Sequence, residues 1–205
     1  MKKESHYLPN SIAEKTVDAK AMNPYNKGDF NIAVVGSVQK RKGQMKLRSI
    51  IQKLNNPRIK FHVIGGLASN NEVDEILESL NTISSVVCHG HKNNIEDYLH
   101  FANLAILLSD SEAFPRTVAE YIYYGKAVVS TDVSGATEMV IDGYNGFIVE
   151  NSSDNFSQIF ADKIDLFFTD TDTLDLFSSR SRAIYDDNFS SNLQKASLEK
   201  ILQNV

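Results

Sequence analysis

A single cysteine, Cys88, stands in a chain of 205 residues, so no disulfide can form within it. That excludes a disulfide-held scaffold and fits a reducing compartment. No apolar run approaches the ~18 residues of a membrane-spanning helix; the longest are the length of a β-strand. The opening stretch, MKKESHYLPN, has two lysines but no apolar segment, so it does not read as a secretory signal. Positive charge is not in excess: 21 Lys and Arg face 26 Asp and Glu, for a formal charge of -5. A weakly acidic chain has no general attraction for nucleic acid or anionic membrane, so any phosphate binding must come from a local site. Tryptophan is absent too, in an otherwise ordinary globular composition that is 42% apolar. These absences lead us to expect a cytoplasmic protein with no nucleic-acid partner and no integral membrane segment, reaching the inner membrane only through a partner.

Several catalytic signatures are missing as well. No glycine-rich run ends in Lys followed by Ser or Thr, which excludes the nucleoside-triphosphate loop. No nucleophile elbow and no redox-type cysteine pair occurs. His89 and His91 flank Gly90, but no third ligand has suitable spacing, so no metal is expected. His89 reads as a polar strand end and His91 as a residue lining a crevice.

What the chain does have is alternation. Short apolar runs at 32–35, 60–64, 85–88, 104–108, 127–130 and 146–149 read as strands. Helical spacing of apolar residues lies between them, at 44–54, 72–80, 95–100, 116–124 and 136–141, and three more helices follow at 156–168, 171–185 and 191–202. The strands are continuously apolar, as in parallel sheets covered by helices on both faces. We therefore expect an α/β fold: a Rossmann-like three-layer domain over residues 30–188 with a parallel sheet of about six strands. Residues 1–29 carry turn residues and little periodicity and read as a linker or arm; residues 189–205 read as a terminal helix.

Such sheets bind ligands beyond the carboxyl ends of their strands. After the first strand come Ser37 and then Gln39, Lys40, Arg41, Lys42 and Gly43. By composition alone this is a solvated basic turn or an anion site; for the latter, Lys42 is best placed, with Gly43 allowing close approach. After the fourth strand the run SDSEAFPRTVAE leads into a helix, with Pro115 where no amide is needed. The amides of Arg116, Thr117 and Val118 would then face the crevice as an anion site. Glu120 lies within an apolar helical segment, where a buried carboxylate without a partner is costly. It either faces solvent or accepts hydrogen bonds from ligand hydroxyls. With Glu112 in the preceding loop, two carboxylates flank the anion site, a layout that suits a sugar nucleotide. After the fifth strand Gly135 allows close approach, Ser134 could cap the next helix and Thr137 could sit in its first turn. Gly65 and Gly66 follow the second strand, as a turn or as backbone close to a nucleoside.

Together these stretches resemble the C-terminal, donor-binding domain of the group 1, or family 4, retaining glycosyltransferases of two-domain GT-B fold. The resemblance runs over about residues 31–149. Its most specific piece is the glutamate pair with seven residues between, Glu112 and Glu120, with Ser109 before it and Phe114 within it. Gly125-Lys126-Ala127-Val128, Lys42-Gly43, Gly65, Gly90, Gly135 with Glu138, and Asp142-Gly143 with Gly146 also match in order. The resemblance implies that Glu112 binds hydroxyls of the transferred sugar, Glu120 binds the ribose, and Lys42 stabilises the diphosphate leaving group. It implies that the amides of Phe114, Arg116, Thr117 and Val118 contact sugar and phosphates, with Ser37, Gly65, Gly90, His91 and Gly135 completing the donor site. The reaction implied is hexosyl transfer from a nucleotide-diphosphate sugar with retention, in polysaccharide or glycoconjugate synthesis, with no cofactor and no metal.

Ser37 stands where the family often has Arg, and Pro115 where it often has Gly. A complete enzyme of this kind also has an acceptor-binding N-terminal domain. Leu8-Pro9-Asn10 resembles the link to it, so a separate N-terminal polypeptide is an expected partner, against which the last helix would pack. A non-catalytic module that pairs with a transferase is the alternative reading. A sugar-nucleotide epimerase of similar fold is disfavoured by the glutamate pair.

Overall fold

The computed structural model describes residue 12, residues 14–66 and residues 71–203. Residues 8–10 and residues 67–69 of the loop after the second strand lie outside the described residues. Six strands, β1 (Phe30–Val35), β2 (Ile59–Ile64), β3 (Val86–Gly90), β4 (Leu104–Leu107), β5 (Val128–Thr131) and β6 (Gly146–Val149), form one sheet in the order β3-β2-β1-β4-β5-β6. Every pairing is parallel. The helices are α1 (Leu47–Leu54), α2 (Asn71–Asn81), α3 (Ile95–Phe101), α4 (Arg116–Tyr123), α5 (Ala136–Met139), α6 (Phe156–Thr169), α7 (Thr171–Asn188) and α8 (Ser191–Gln203). None of these is long and apolar enough to cross a membrane.

The continuously apolar strands explain the three layers. Successive strand side chains point to opposite faces, so Ile32 and Ile106 enter one core while their neighbours Ala33 and Ala105 enter the other. The first core packs α1, α2 and α6 on the sheet through Leu47, Ile50, Ile76, Phe160 and Ile164. The second packs α3, α4 and α7 through Leu99, Val118, Tyr121 and Ile184. This is the Rossmann-like α/β architecture that the strand pattern predicts.

Two local readings are corrected. The helix expected from residue 44 begins at Leu47, preceded by two short 3₁₀ turns, 40–42 and 44–46. Gly43 separates them in the left-handed region (φ 69°), which a helix cannot pass through. Ser134 does not cap the next helix: the N-cap of α5 is Gly135, also left-handed, with no side-chain cap bond. Between β2 and β3 the register slips, Val63 pairing Cys88 and Ile64 pairing Gly90, so His89 is an extra residue near the end of β3.

Residues 14–29 lie against the α3, α4 and α7 layer. Tyr25 is buried and its hydroxyl donates to the Tyr98 carbonyl at 2.8 Å. The Tyr124 hydroxyl donates to the Lys15 carbonyl at 2.7 Å. Glu14 accepts from the Tyr185 hydroxyl at 2.9 Å and the Ser191 amide at 2.8 Å. Beyond α7, α8 leaves Leu193, Leu198 and Leu202 exposed.

Candidate functional site

The strand order reverses between β1 and β4, and ligand crevices of open α/β sheets lie at such a reversal. Ser37, Gly65, Gly90, Glu112 and Gly135 each follow or end a strand on the carboxyl side of this sheet. The loop after β1 and the loop after β4 face one another there.

These two loops are tied by a dense set of contacts. The Asp110 amide donates to the Arg41 carbonyl at 2.8 Å. The Lys46 ammonium reaches the Leu108 carbonyl at 3.0 Å, Asn151 Oδ1 at 2.6 Å and Asp110 Oδ1 at 2.6 Å. A Cβ on Gly43 would overlap the Leu108 carbonyl oxygen. The close approach that Gly43 allows is therefore between two stretches of protein backbone. Gly65 acts likewise: a Cβ there would overlap the Gly36 carbonyl, so this glycine lets the ends of β1 and β2 pack. Lys46, which the sequence reading did not single out, fixes the basic turn on the end of β4. Its spacing from the turn gave no sign of this, because its three oxygen partners come from distant positions.

Within this frame Glu112 sits between two cations. Lys42 Nζ lies 2.6 Å from its Oε1 and Arg41 Nη1 lies 3.4 Å from its Oε2. The Ser109 hydroxyl donates to Oε1 at 2.8 Å. Burial opposes ionisation of Glu112, but the hydrogen bonds from Lys42 and Ser109 and the nearby charges outweigh it, holding its pKa below the ordinary value. Arg41 is also held by the Ser111 carbonyl at 2.6 Å. Fully buried Ser109 anchors the loop, its carbonyl accepting from Thr131 Oγ1 at 2.8 Å and Asn151 Nδ2 at 3.1 Å.

Glu120 presents the opposite case. It is partly buried on α4, and its carboxylate accepts no hydrogen bond from any described residue. Burial raises its pKa, and the charges of Arg116 and Lys15 only partly offset this. A carboxylate short of protein partners on this helix can accept hydrogen bonds from hydroxyls.

Pro115 is the N-cap of α4, with Arg116 and Thr117 in the first turn. Their amides precede the first carbonyl that the helix itself can offer. The Val118 amide, which the sequence reading counted among the crevice donors, donates instead to the Pro115 carbonyl at 2.9 Å. The Thr117 hydroxyl is buried and has no hydrogen-bond partner among the described residues. Phe114 turns its ring to Phe189 at 6.3 Å and packs on the second core, leaving its backbone to the crevice. Gly135 adjoins this loop: a Cβ there would lie 2.7 Å from the Ala113 carbonyl oxygen and 2.9 Å from Phe114 Cα. Ser37 is held by Gln39 Nε2 on its hydroxyl (2.9 Å) and by buried Gln44 on its carbonyl (3.0 Å). Gly90 is left-handed (φ 66°), a Cβ there would meet no described residue within 4 Å, and its carbonyl accepts from the Gly65 amide at 2.9 Å. His91 pairs with Asn93 at 3.0 Å and lies over Gly66. His89 turns away from the crevice to His62, with Nε2 and Nδ1 2.9 Å apart. Among the described residues, no group of three or more His, Cys, Asp or Glu is placed to hold a metal ion.

A parallel, Rossmann-like sheet covered by helices on both faces is the architecture of a GT-B glycosyltransferase domain. The chain belongs to the family of glycosyl transferases group 1, which its residues 18–184 match. It is similar to the capsular polysaccharide biosynthesis glycosyltransferase CapM of Staphylococcus aureus, 29% identical over 84% of this chain and 46% of that protein. It is also similar to the O-antigen biosynthesis glycosyltransferase WbnH of Escherichia coli, 28% identical over 69% of this chain and 38% of that protein. The chain thus spans less than half the length of these relatives. Among solved structures it resembles Anabaena HepE, crystallised with UDP and glucose, with a TM-score of 0.77 and 22% identity over 87% of this chain and 49% of that one.

Proposed function

We propose that this chain is the donor-binding half of a retaining glycosyltransferase that takes a hexosyl group from a nucleotide-diphosphate sugar. The observation that carries the reading is the Lys42–Glu112 pair spanning the switch point, 2.6 Å apart, beside the free amides at the start of α4. When a donor enters, its hydroxyls take over Glu112 and its diphosphate takes over Lys42. Lys42 and the amides of Arg116 and Thr117 then face the negative charge that grows as the bond between the anomeric carbon and the phosphate oxygen breaks. Stabilisation of that charge is commonly a large catalytic contribution. Glu120 accepts from the ribose hydroxyls, relieving its lack of partners. The remaining donor contacts come from the backbone of Phe114 and Gly135, from Ser37, and from Gly65, Gly90 and His91 on the nucleoside side.

The acceptor hydroxyl attacks the anomeric carbon on the face the leaving group departs from, and its proton passes to the departing phosphate oxygen. Holding that hydroxyl in register is worth about 7–11 kcal/mol. We assign this task to a second, N-terminal half corresponding to the extra length of the relatives. The names of CapM and WbnH support a role in building a surface polysaccharide. The reading is tested by calorimetric titration with UDP, GDP and ADP and with the matching nucleosides. A diphosphate that binds at least tenfold more tightly than its nucleoside is the expected result. No binding of any of them would end it.

A further inference from the structure

We infer that the Tyr121 hydroxyl is a positioning group of this site, replacing a ladder bond between β1 and β4 and so setting the width of the crevice; the inference rests on the donor-site reading. β1 pairs with β2 along all of Phe30–Val35 but with β4 only at Ile32↔Leu104 and Ala33↔Ala105. If that parallel register continued, the next bond would run from the Val35 amide to the Ile106 carbonyl. It is not made. The Val35 amide donates to the Tyr121 hydroxyl oxygen at 2.8 Å, and the Tyr121 hydroxyl donates to the Ile106 carbonyl at 3.2 Å.

A direct bond would draw the two strands to an N···O separation of about 2.9 Å. One oxygen inserted between them holds that pair further apart while leaving neither group unsatisfied. Tyr121 is fully buried, so an unpaired hydroxyl there would be costly. The strands consequently part immediately before Gly36 and Ser37, at the mouth of the site.

The hydroxyl touches all three elements that build the site. Lys42 hangs from the loop after β1, and Glu112 from the loop after β4. Tyr121 itself lies on α4 beside Glu120, and the amides of Arg116 and Thr117 begin that helix. One oxygen thus fixes the separation of the two loops and the height of the helix against both. The phenyl ring could serve the core without the hydroxyl, which makes the two roles separable: phenylalanine keeps the ring and loses the bridge.

The test compares the wild-type chain, Tyr121→Phe and Ile122→Val. Ile122 is fully buried in the same core and makes no bond at the seam. Two quantities are read: the Glu112 carboxyl titration by ¹³C NMR, which reports its distance from Lys42 without any ligand, and the affinity for UDP, GDP and ADP. In Tyr121→Phe the Glu112 midpoint is expected to rise toward the ordinary carboxylate value. The affinity of whichever diphosphate the wild type binds is expected to fall at least tenfold. Ile122→Val is expected to lower thermal stability and change neither quantity. An unmoved Glu112 midpoint in Tyr121→Phe overturns the inference whatever the ligands do, and so does an unchanged affinity. If the wild type binds none of the diphosphates, the donor reading fails. A shifted Glu112 midpoint would then still support control of the crevice by Tyr121.

Discussion

Lys42 and Glu112 are 70 positions apart in the chain, and their charged ends meet at 2.6 Å across the switch point of the sheet. Neither group is spare in the ligand-free protein. Each satisfies the other, with Ser109 and Arg41 completing the shell of Glu112. On the proposed donor reading, a ligand with an anionic centre and neighbouring hydroxyls would exchange this pair for two better-matched ones, and that exchange sets the first prediction.

Lys42→Ala is expected to weaken binding of the nucleoside diphosphate by roughly ten- to a hundredfold, the cost of one charged hydrogen bond. Binding of the nucleoside alone should be unchanged. Calorimetry on both ligands checks this, and equal losses would put Lys42 outside the diphosphate site. The same variant changes the acid limb of stability. The folded pKa of Glu112 is depressed, so its contribution is present above the ordinary carboxylate pKa and is lost as the pH falls through the lowered value. Without Lys42 that part of the acid dependence should shrink in thermal melts below about pH 5.

Glu120→Gln should separate stability from binding. The folded pKa of Glu120 is raised by burial, so the native state holds its proton more firmly than the unfolded chain does. Stability therefore declines as the pH rises from the ordinary value through the raised one, and the penalty persists at neutral pH. Glutamine removes it, and the melting temperature at pH 7 should rise, by about 2–4 °C for each kcal/mol relieved. Nucleoside and nucleoside diphosphate should both bind more weakly. A variant that melts lower yet binds as before would contradict the assignment.

Gly43→Ala should destabilise the fold and loosen the site together. The residue is left-handed, which costs an L side chain ~1–2 kcal/mol. Its Cβ would also overlap the Leu108 carbonyl, so the end of β4 must move. A loss of more than about 2 kcal/mol in urea unfolding is expected, since strain and overpacking combine. The ring of contacts through Lys46 and Asp110 should open with it. Gly143→Ala is the control: that glycine is also left-handed but has nothing within 4 Å of its Cβ direction.

His62 should stay neutral well below the usual histidine range. Burial is the main cause, with the neighbouring His89 and Lys60 adding to it, and its pKa falls to about 4. Its ring packs on Tyr25, and Nε2 faces Asn31 Oδ1 at 2.9 Å. The Asn31 amide group donates to the Asp29 carbonyl, so this oxygen is an acceptor and His62 Nε2 carries the proton. The folded value is depressed for a base, so the unfolded chain takes up a proton first. Stability should fall between about pH 6.5 and pH 4, by up to about 3 kcal/mol. NMR of the imidazole should show a neutral ring with protonated Nε2 at pH 5.5. A ring that titrates near pH 6.5 in the folded protein would refute the burial argument.

The sequence by itself determined the layers, the parallel sheet and the order of the functional loops. Continuous apolar runs at strand length, separated by helical spacing, leave few other ways to bury both faces. It also marked where to look for chemistry, because Lys42 and Glu112 follow strands on the carboxyl side of the sheet and Glu120 interrupts an apolar helical segment. Turn details were less legible. The helix start near Gly43, the cap at Gly135 and the Val118 amide depend on φ angles and on acceptors one or two residues away, which residue type constrains only weakly.

What only the tertiary structure decided are the relations between distant positions. Tyr121 and His62 look like ordinary core residues in the sequence, since a buried aromatic ring and a strand histidine carry no mark of their partners. Tyr121 gains its partners because α4 brings its hydroxyl between the ends of β1 and β4, and His62 meets His89 where β3 carries a bulge. Glycines 43 and 65 were legible as close approaches, but not as approaches of the protein to itself. Hydrophobic pattern is a local property and fixes which elements form. Hydrogen-bond pairing across a sheet depends on register and separation, and those exist only once the strands have been placed side by side.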